Sequence, residues 1–100
     1  MPESIENYKK YLAWYLEKVE APGIFARFFG KKEEFRQKAE KLRTVIETLE
    51  ALPPRKQELI LNAIVLFTAR IRGETEGNVV LRVEELDELI EFIAQMASKR

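Results

Sequence analysis

The sequence predicts an all-α protein, a four-helix bundle-like domain with a short aromatic helix between its first two long helices. Apolar residues recur at three- and four-residue spacing through most of the chain, proline and glycine punctuate those stretches, and only one short segment alternates as a strand would. A chain of 100 residues, 46% apolar and 34% charged, suits one folded domain over 1–100 with surface for one core but not two.

The first helix is predicted over 5–20, with Ser4 placed to cap it. Ile5, Tyr8, Leu12, Tyr15 and Val19 make its apolar stripe and Leu16 widens it. Trp14 falls opposite, beside Lys10, Glu17 and Lys18, either as an anchor for a partner or as a ring covered by Phe25 or Phe28 folding back. Ala21-Pro22-Gly23 ends this helix, since proline removes a donor and clashes with the preceding turn. Ile24, Phe25, Phe28 and Phe29 then share one side of a short helix over 23–29, closed by Gly30, with Arg27 pointing away.

A second long helix is predicted over 32–51 from Phe35, Ala39, Leu42, Ile46 and Leu49, with Val45 beside them, and Leu52-Pro53-Pro54 stops it. A third is predicted over 54–72, with Pro54 in its first turn and Gly73 as its stop. At 59–71 this helix is apolar on nearly every side, so it is expected to be covered from several directions and to organise the fold. Residues 73–78 read as a polar loop, and 79–83 as an extended piece with no partner strand. The last helix, over 83–98, turns Leu86, Leu89, Ile90, Ile93 and Ala97 inward and Glu84, Asp87, Glu88 and Glu91 outward.

Chemistry is poorly provided for. Without His or Cys the chain lacks the commonest general base, any thiol nucleophile and the usual zinc ligands. Its only serines, Ser4 and Ser98, lie near the chain ends, and its four glycines are too scattered to cradle a phosphate. The acidic run from Glu84 to Glu91 lacks the Glu-x-x-His pairs of a di-iron bundle and the loop of an EF-hand, so it reads as a solvated face. No catalytic residue, cofactor, metal or small-molecule substrate is implied, and the chain is expected not to be an enzyme.

Seventeen basic residues balance seventeen acidic ones, but 27–43 holds seven basic against three acidic and 74–91 seven acidic against one basic. Arg27, Lys31, Lys32, Arg36 and Lys38, next to the phenylalanines, are the candidate contacts for nucleic acid. Against this, Glu33, Glu40 and Glu47 occupy the outer face of that helix, which fits cations that border a core. The longest apolar run, over 59–69, is well short of the roughly 20 residues that span a bilayer, and the first residues do not look like a secretory leader, so a cytoplasmic location is expected. Abundant Lys, Glu and Arg without Cys or His also lean towards a thermophilic source.

The expected function is therefore a non-enzymatic protein-protein interaction or assembly domain that self-associates, as a homodimer, through the third helix. A hundred residues wrap a helix on all sides with difficulty, and a second copy can supply the missing wall. Trp14, Phe25, Phe28, Phe29, Leu61, Ile64 and Val65 are its expected interface. The alternative is an accessory nucleic-acid-binding subunit using 27–43. Membrane-surface attachment through Ile24, Phe25, Phe28 and Phe29 ranks last.

Overall fold

The computed structural model describes residues 4–20 and 29–99, with side chains over 4–20 and 32–99, and every regular element in them is helical. The class is all-α. In chain order the described helices are α1 (Ile5–Glu20), α2 (Phe29–Glu50), α3 (Pro54–Ala63), α4 (Val65–Thr75) and α5 (Val83–Ser98). The short aromatic helix expected over 23–29 lies outside the described residues, apart from Phe29, whose backbone opens α2.

Helix α2 is at the centre, packed between α1 and α5, while α4 rests on α1 and α3 on α5. Ala39, Leu42, Val45, Ile46 and Leu49 give α2 its buried stripe, and Leu86, Leu89 and Ile93 do the same for α5. Each fully buried leucine or isoleucine contributes roughly 1.5–3 kcal/mol relative to exposure, so these rows supply much of the cohesion. Lys9 meets Glu50 at 3.0 Å while Trp14 meets Phe35 with ring centroids 5.8 Å apart, so α1 runs antiparallel to α2. Lys56 donates to the Ala97 carbonyl at 2.9 Å and Arg70 pairs with Glu85 at 2.8 Å, which sets α3 and α4 antiparallel to α5.

The expectation of one continuous third helix over 54–72, wrapped on several sides, is corrected on three counts. The helix breaks at Ile64, whose ψ of 24° leaves the helical range. The Thr68 hydroxyl donates to the Ile64 carbonyl at 3.0 Å, where the Thr68 amide also lands at 3.0 Å, and such back-bonding bends helices. Beyond the break α4 runs through Gly73 to Thr75, so Gly73 is not the stop. Finally, Leu59 is 60% exposed and Leu66 78%, so the apolar circumference is left open on one side. Periodicity cannot say which side of an all-round apolar helix stays uncovered.

The stop is Gly77, which takes a φ of +81° that other residues adopt only with strain. The Asn78 amide reaches back to the Gly73 carbonyl at 2.8 Å and the Gly77 amide to Glu74 at 3.1 Å, the paired bonds of a Schellman ending. The chain then passes over Gly73 so closely that a Cβ there would lie 2.7 Å from Cγ2 of Val79. Residues 79–82 are extended, as expected, but pair with no strand among the described residues, and the Glu85 carboxylate accepts the Arg82 amide at 2.8 Å to open α5. Burial alone would raise the Glu85 carboxyl, but the Arg82 amide and the Arg70 and Arg82 charges outweigh it and hold the group below its ordinary value. Among the described residues no helix is long and apolar enough to cross a membrane.

Replacing Gly73 with Ala tests this crossing. An alanine in mid-helix ordinarily gains up to about 1 kcal/mol over glycine, yet here it must displace a branched side chain. We expect Gly73→Ala to lower the urea midpoint, and Gly73→Ala with Val79→Ala to recover most of the loss. A Gly73→Ala chain more stable than its parent would contradict the packing described.

Candidate functional site

Two features outside the ordinary apolar core draw attention: a polar cluster sealed between α1, α2 and α4, and an open apolar face on α3 and α4. The cluster is built from α1 upward. Tyr8 and Tyr15, seven residues apart, project from one face of α1, and both rings are buried. Tyr8 hydrogen-bonds Thr68, and because the Thr68 proton is directed at the Ile64 carbonyl, Tyr8 is the donor. Tyr15 donates to Oε1 of Glu74 at 2.5 Å. Thr68 and Glu74 follow one another along α4 as Tyr8 and Tyr15 do along α1, so the two helices run in the same direction.

Glu74 is the meeting point. Its Oε2 accepts from Lys38 Nζ of α2 at 2.8 Å and from the Leu81 amide at 3.2 Å, while Oε1 takes Tyr15. Lys38 is 1% exposed and Glu74 8%, a cation and an anion both withdrawn from water. Lys38 also lies 3.5 Å from Glu34 and 5.4 Å from the centre of the Phe35 ring. Among the described residues no buried side-chain nitrogen or oxygen lacks a partner. Burial, then the hydrogen bond to Glu74 and its negative charge, push the Tyr15 hydroxyl far above the ordinary tyrosine range. These groups hold one another; neither of the two grooves beside α3 is lined by Tyr15, Lys38 or Glu74.

The open face lies on α3 and α4. Leu59 is 60% exposed, Val65 54% and Leu66 78%, with Ala63 and Ala69 exposed between and beyond them. Of the expected interface residues whose side chains are described, only Val65 belongs to it. Leu61 and Ile64 are buried in the core, because α3 turns that side towards α1 and α5. Trp14, expected on the side of α1 away from the core, is half-buried against it: its ring meets Tyr15 and Phe35 edge-on, and Lys18 lies 5.2 Å from its centre. Phe25 and Phe28 lie outside the described residues, as does the side chain of Phe29.

The basic set is dispersed. Arg27 and the side chain of Lys31 lie outside the described residues, Lys32 is exposed, and Arg36 is exposed with Glu33 at 3.4 Å. Lys38 is the clear correction, since it is sealed against Glu74 and cannot meet a phosphate. Its spacing to Leu42, Val45 and Leu49, in steps of four, three and four, was the signal that it shares their inward face. Among the described residues no group of three or more potential ligands is placed to hold a metal ion. Comparisons with known proteins return no matching family model, no similar curated protein and no similar solved structure.

Removing one partner of a buried pair typically costs about 3–5 kcal/mol, because the other charge is stranded. Lys38→Met should therefore sharply lower the free energy of unfolding in urea, and adding Glu74→Gln should return part of it, since a neutral amide still accepts from Tyr15 or Leu81. Equal losses in the single and double variants would contradict this. Tyr15 gives a second test. The folded chain keeps its proton where the unfolded chain, with an ordinary tyrosine near 10, releases it. Its contribution is complete below that pH and lost above it, so stability should fall as pH rises past 10, and Tyr15 should ionise only on unfolding in an ultraviolet titration.

Proposed function

We propose that the chain is a non-enzymatic assembly domain, a bundle of four rods in which α3 and α4 form one kinked rod, and that it pairs with a second copy through the outer face of that rod. The supporting observation is the exposure of Leu59, Val65 and Leu66 within eight positions of one another on α3 and α4. Single exposed leucines are ordinary; three large apolar side chains grouped on one rod are what a partner covers. An enzymatic role has little to recommend it, because the titratable groups brought together, Tyr15, Lys38 and Glu74, are committed to one another. Binding of nucleic acid through α2 is likewise disfavoured, since Arg36, Lys38 and Lys41 each face a carboxylate of this chain.

The size of the face sets the strength of the pairing. Covering three such side chains on each of two copies, none of them fully exposed at the start, offers roughly 6–12 kcal/mol, while association costs about 4–15 kcal/mol in lost freedom. Self-association should therefore be weak and dependent on concentration. Sedimentation equilibrium across a wide concentration range should show a monomer passing to a dimer. Leu66→Glu should remain monomeric with an unchanged melting temperature, whereas Ile64→Glu, which drives a carboxylate into a fully buried position, should fail to fold. An unmodified chain that stays monomeric at every concentration would overturn the proposal.

A further inference from the structure

An open groove of about 790 Å³ lies along α3 beside the last turn of α5, and its chemistry changes along its length. Lys56 donates to the carbonyls of Ala97 and Lys99, which holds the start of α3 against the end of α5 and puts Arg55 and Lys99 at the same end of the groove. One turn further along α3, Leu59 and the α5 side chain Met96 make an apolar stretch, and Asn62 closes the far end. From Arg55 to Asn62 the groove follows α3 for two turns, about 10 Å.

The Lys56 ammonium is occupied by the carbonyls that end α5. Arg55 and Lys99 differ from it: both are exposed, and among the described residues neither has an ion-pair partner. Glu58 is the single carboxylate lining the groove, against three cations. The cations of α2 contrast with these, since Arg36, Lys38 and Lys41 each face a carboxylate of this chain. The groove is thus apolar in the middle and positive, without a counterion, at one end.

We infer that this groove receives an acidic amphipathic helix of another protein, whose large apolar side chains rest on Leu59 and Met96 and whose carboxylates, a turn away, meet Arg55 and Lys99. Two antiparallel helices offer a third a trough in which apolar residues at three- and four-residue spacing settle. The cations select acidic segments over basic ones and, standing at one end only, decide which end of the segment lies there. A second copy is a poorer occupant, because the acidic outer face of α5 carries no exposed large apolar side chain. A bilayer cannot follow a concave floor rimmed by Glu58, and the groove has no aromatic ring on which a base could stack. The inference does not depend on self-association, although Leu59 belongs to both surfaces and the two partners would compete for it.

The probe is a fluorescein-labelled synthetic peptide with leucines at three- and four-residue spacing flanked by glutamates, compared with two peptides of the same leucine pattern carrying glutamine or lysine in place of glutamate. With the chain dilute enough to sediment as a monomer, fluorescence anisotropy should show saturable binding of the glutamate peptide, about tenfold weaker binding of the glutamine peptide and none of the lysine peptide, and the glutamate peptide should weaken as salt is raised. Arg55→Glu combined with Lys99→Glu should keep the fold, both positions being exposed, while losing the glutamate peptide and admitting the lysine peptide. Glu58→Gln should tighten binding of the glutamate peptide about threefold, a gain that a damaged fold does not produce. Failure of the glutamate peptide to bind would overturn the inference, as would equal binding of the glutamate and glutamine peptides, which would reduce the groove to an unselective apolar surface. Co-sedimentation with vesicles of phosphatidylcholine and phosphatidylserine in place of peptide binding would overturn it in favour of a membrane surface. A chain that binds the peptide yet stays monomeric at every concentration would sink the self-association and leave this inference standing.

Discussion

The carboxylate of Glu74 receives three donors from three different parts of the chain: the phenol of Tyr15 on α1, the ammonium of Lys38 on α2 and the amide of Leu81 ahead of α5. Apolar surfaces would tolerate many ways of laying these elements together, because greasy contact has little direction. A buried carboxylate does not. Sliding α4 by one turn, about 5.4 Å, would leave a charge in the interior without its counterion. The energetic weight of the cluster thus lies less in what it adds to the native arrangement than in what it subtracts from every misaligned one. Tyr8 and Thr68 repeat the constraint one step along the same pair of helices, so α1 and α4 are pinned at two points and cannot pivot about either.

Much of this architecture could be read from the residues, and the parts that could not share a cause. The stripes of α1, α2 and α5 were legible because each has one apolar face, and the residues named for them, Tyr8, Tyr15, Leu42, Leu49, Leu89 and Ile93 among them, are buried. Glu74 was not, because a carboxylate on a polar stretch carries no local mark of a cation 36 positions earlier in the chain. Lys38 carried a faint mark, its spacing to Leu42 and Val45, which its charge obscured. Gly73 was expected to stop the third helix, and nothing in the sequence marks Gly77, with its φ of +81°, as the stop instead. The kink at Ile64 depends on a hydroxyl four residues ahead, a competition for one carbonyl that periodicity cannot register.

The inner and outer sides of α3 and α4 are accordingly separate. Towards α1, α4 presents Thr68 and Glu74, both satisfied; on the outer side Leu59 and Leu66 are largely exposed. Substitutions on the outer side leave the polar cluster untouched, so the bundle can be held constant while its surface is varied. The candidate interface was only partly legible for a related reason. Leu61, Ile64 and Val65 are neighbours in sequence, but a rotation of 100° per residue sends the first two inward and the third out.

Residues 79–82 have the composition of an aggregation-prone strand, with two adjacent valines and a leucine, and the side chain of Val80 is 78% exposed. Strands of this kind recruit others through free amides along one edge. Here the amides on either side of Val80 are already occupied: Val79 donates to the Gly73 carbonyl, Leu81 to Glu74 and Arg82 to Glu85. The two carboxylates that close α4 and open α5 thereby blunt the segment as a template, since three of the four amides over 79–82 are already committed within the chain.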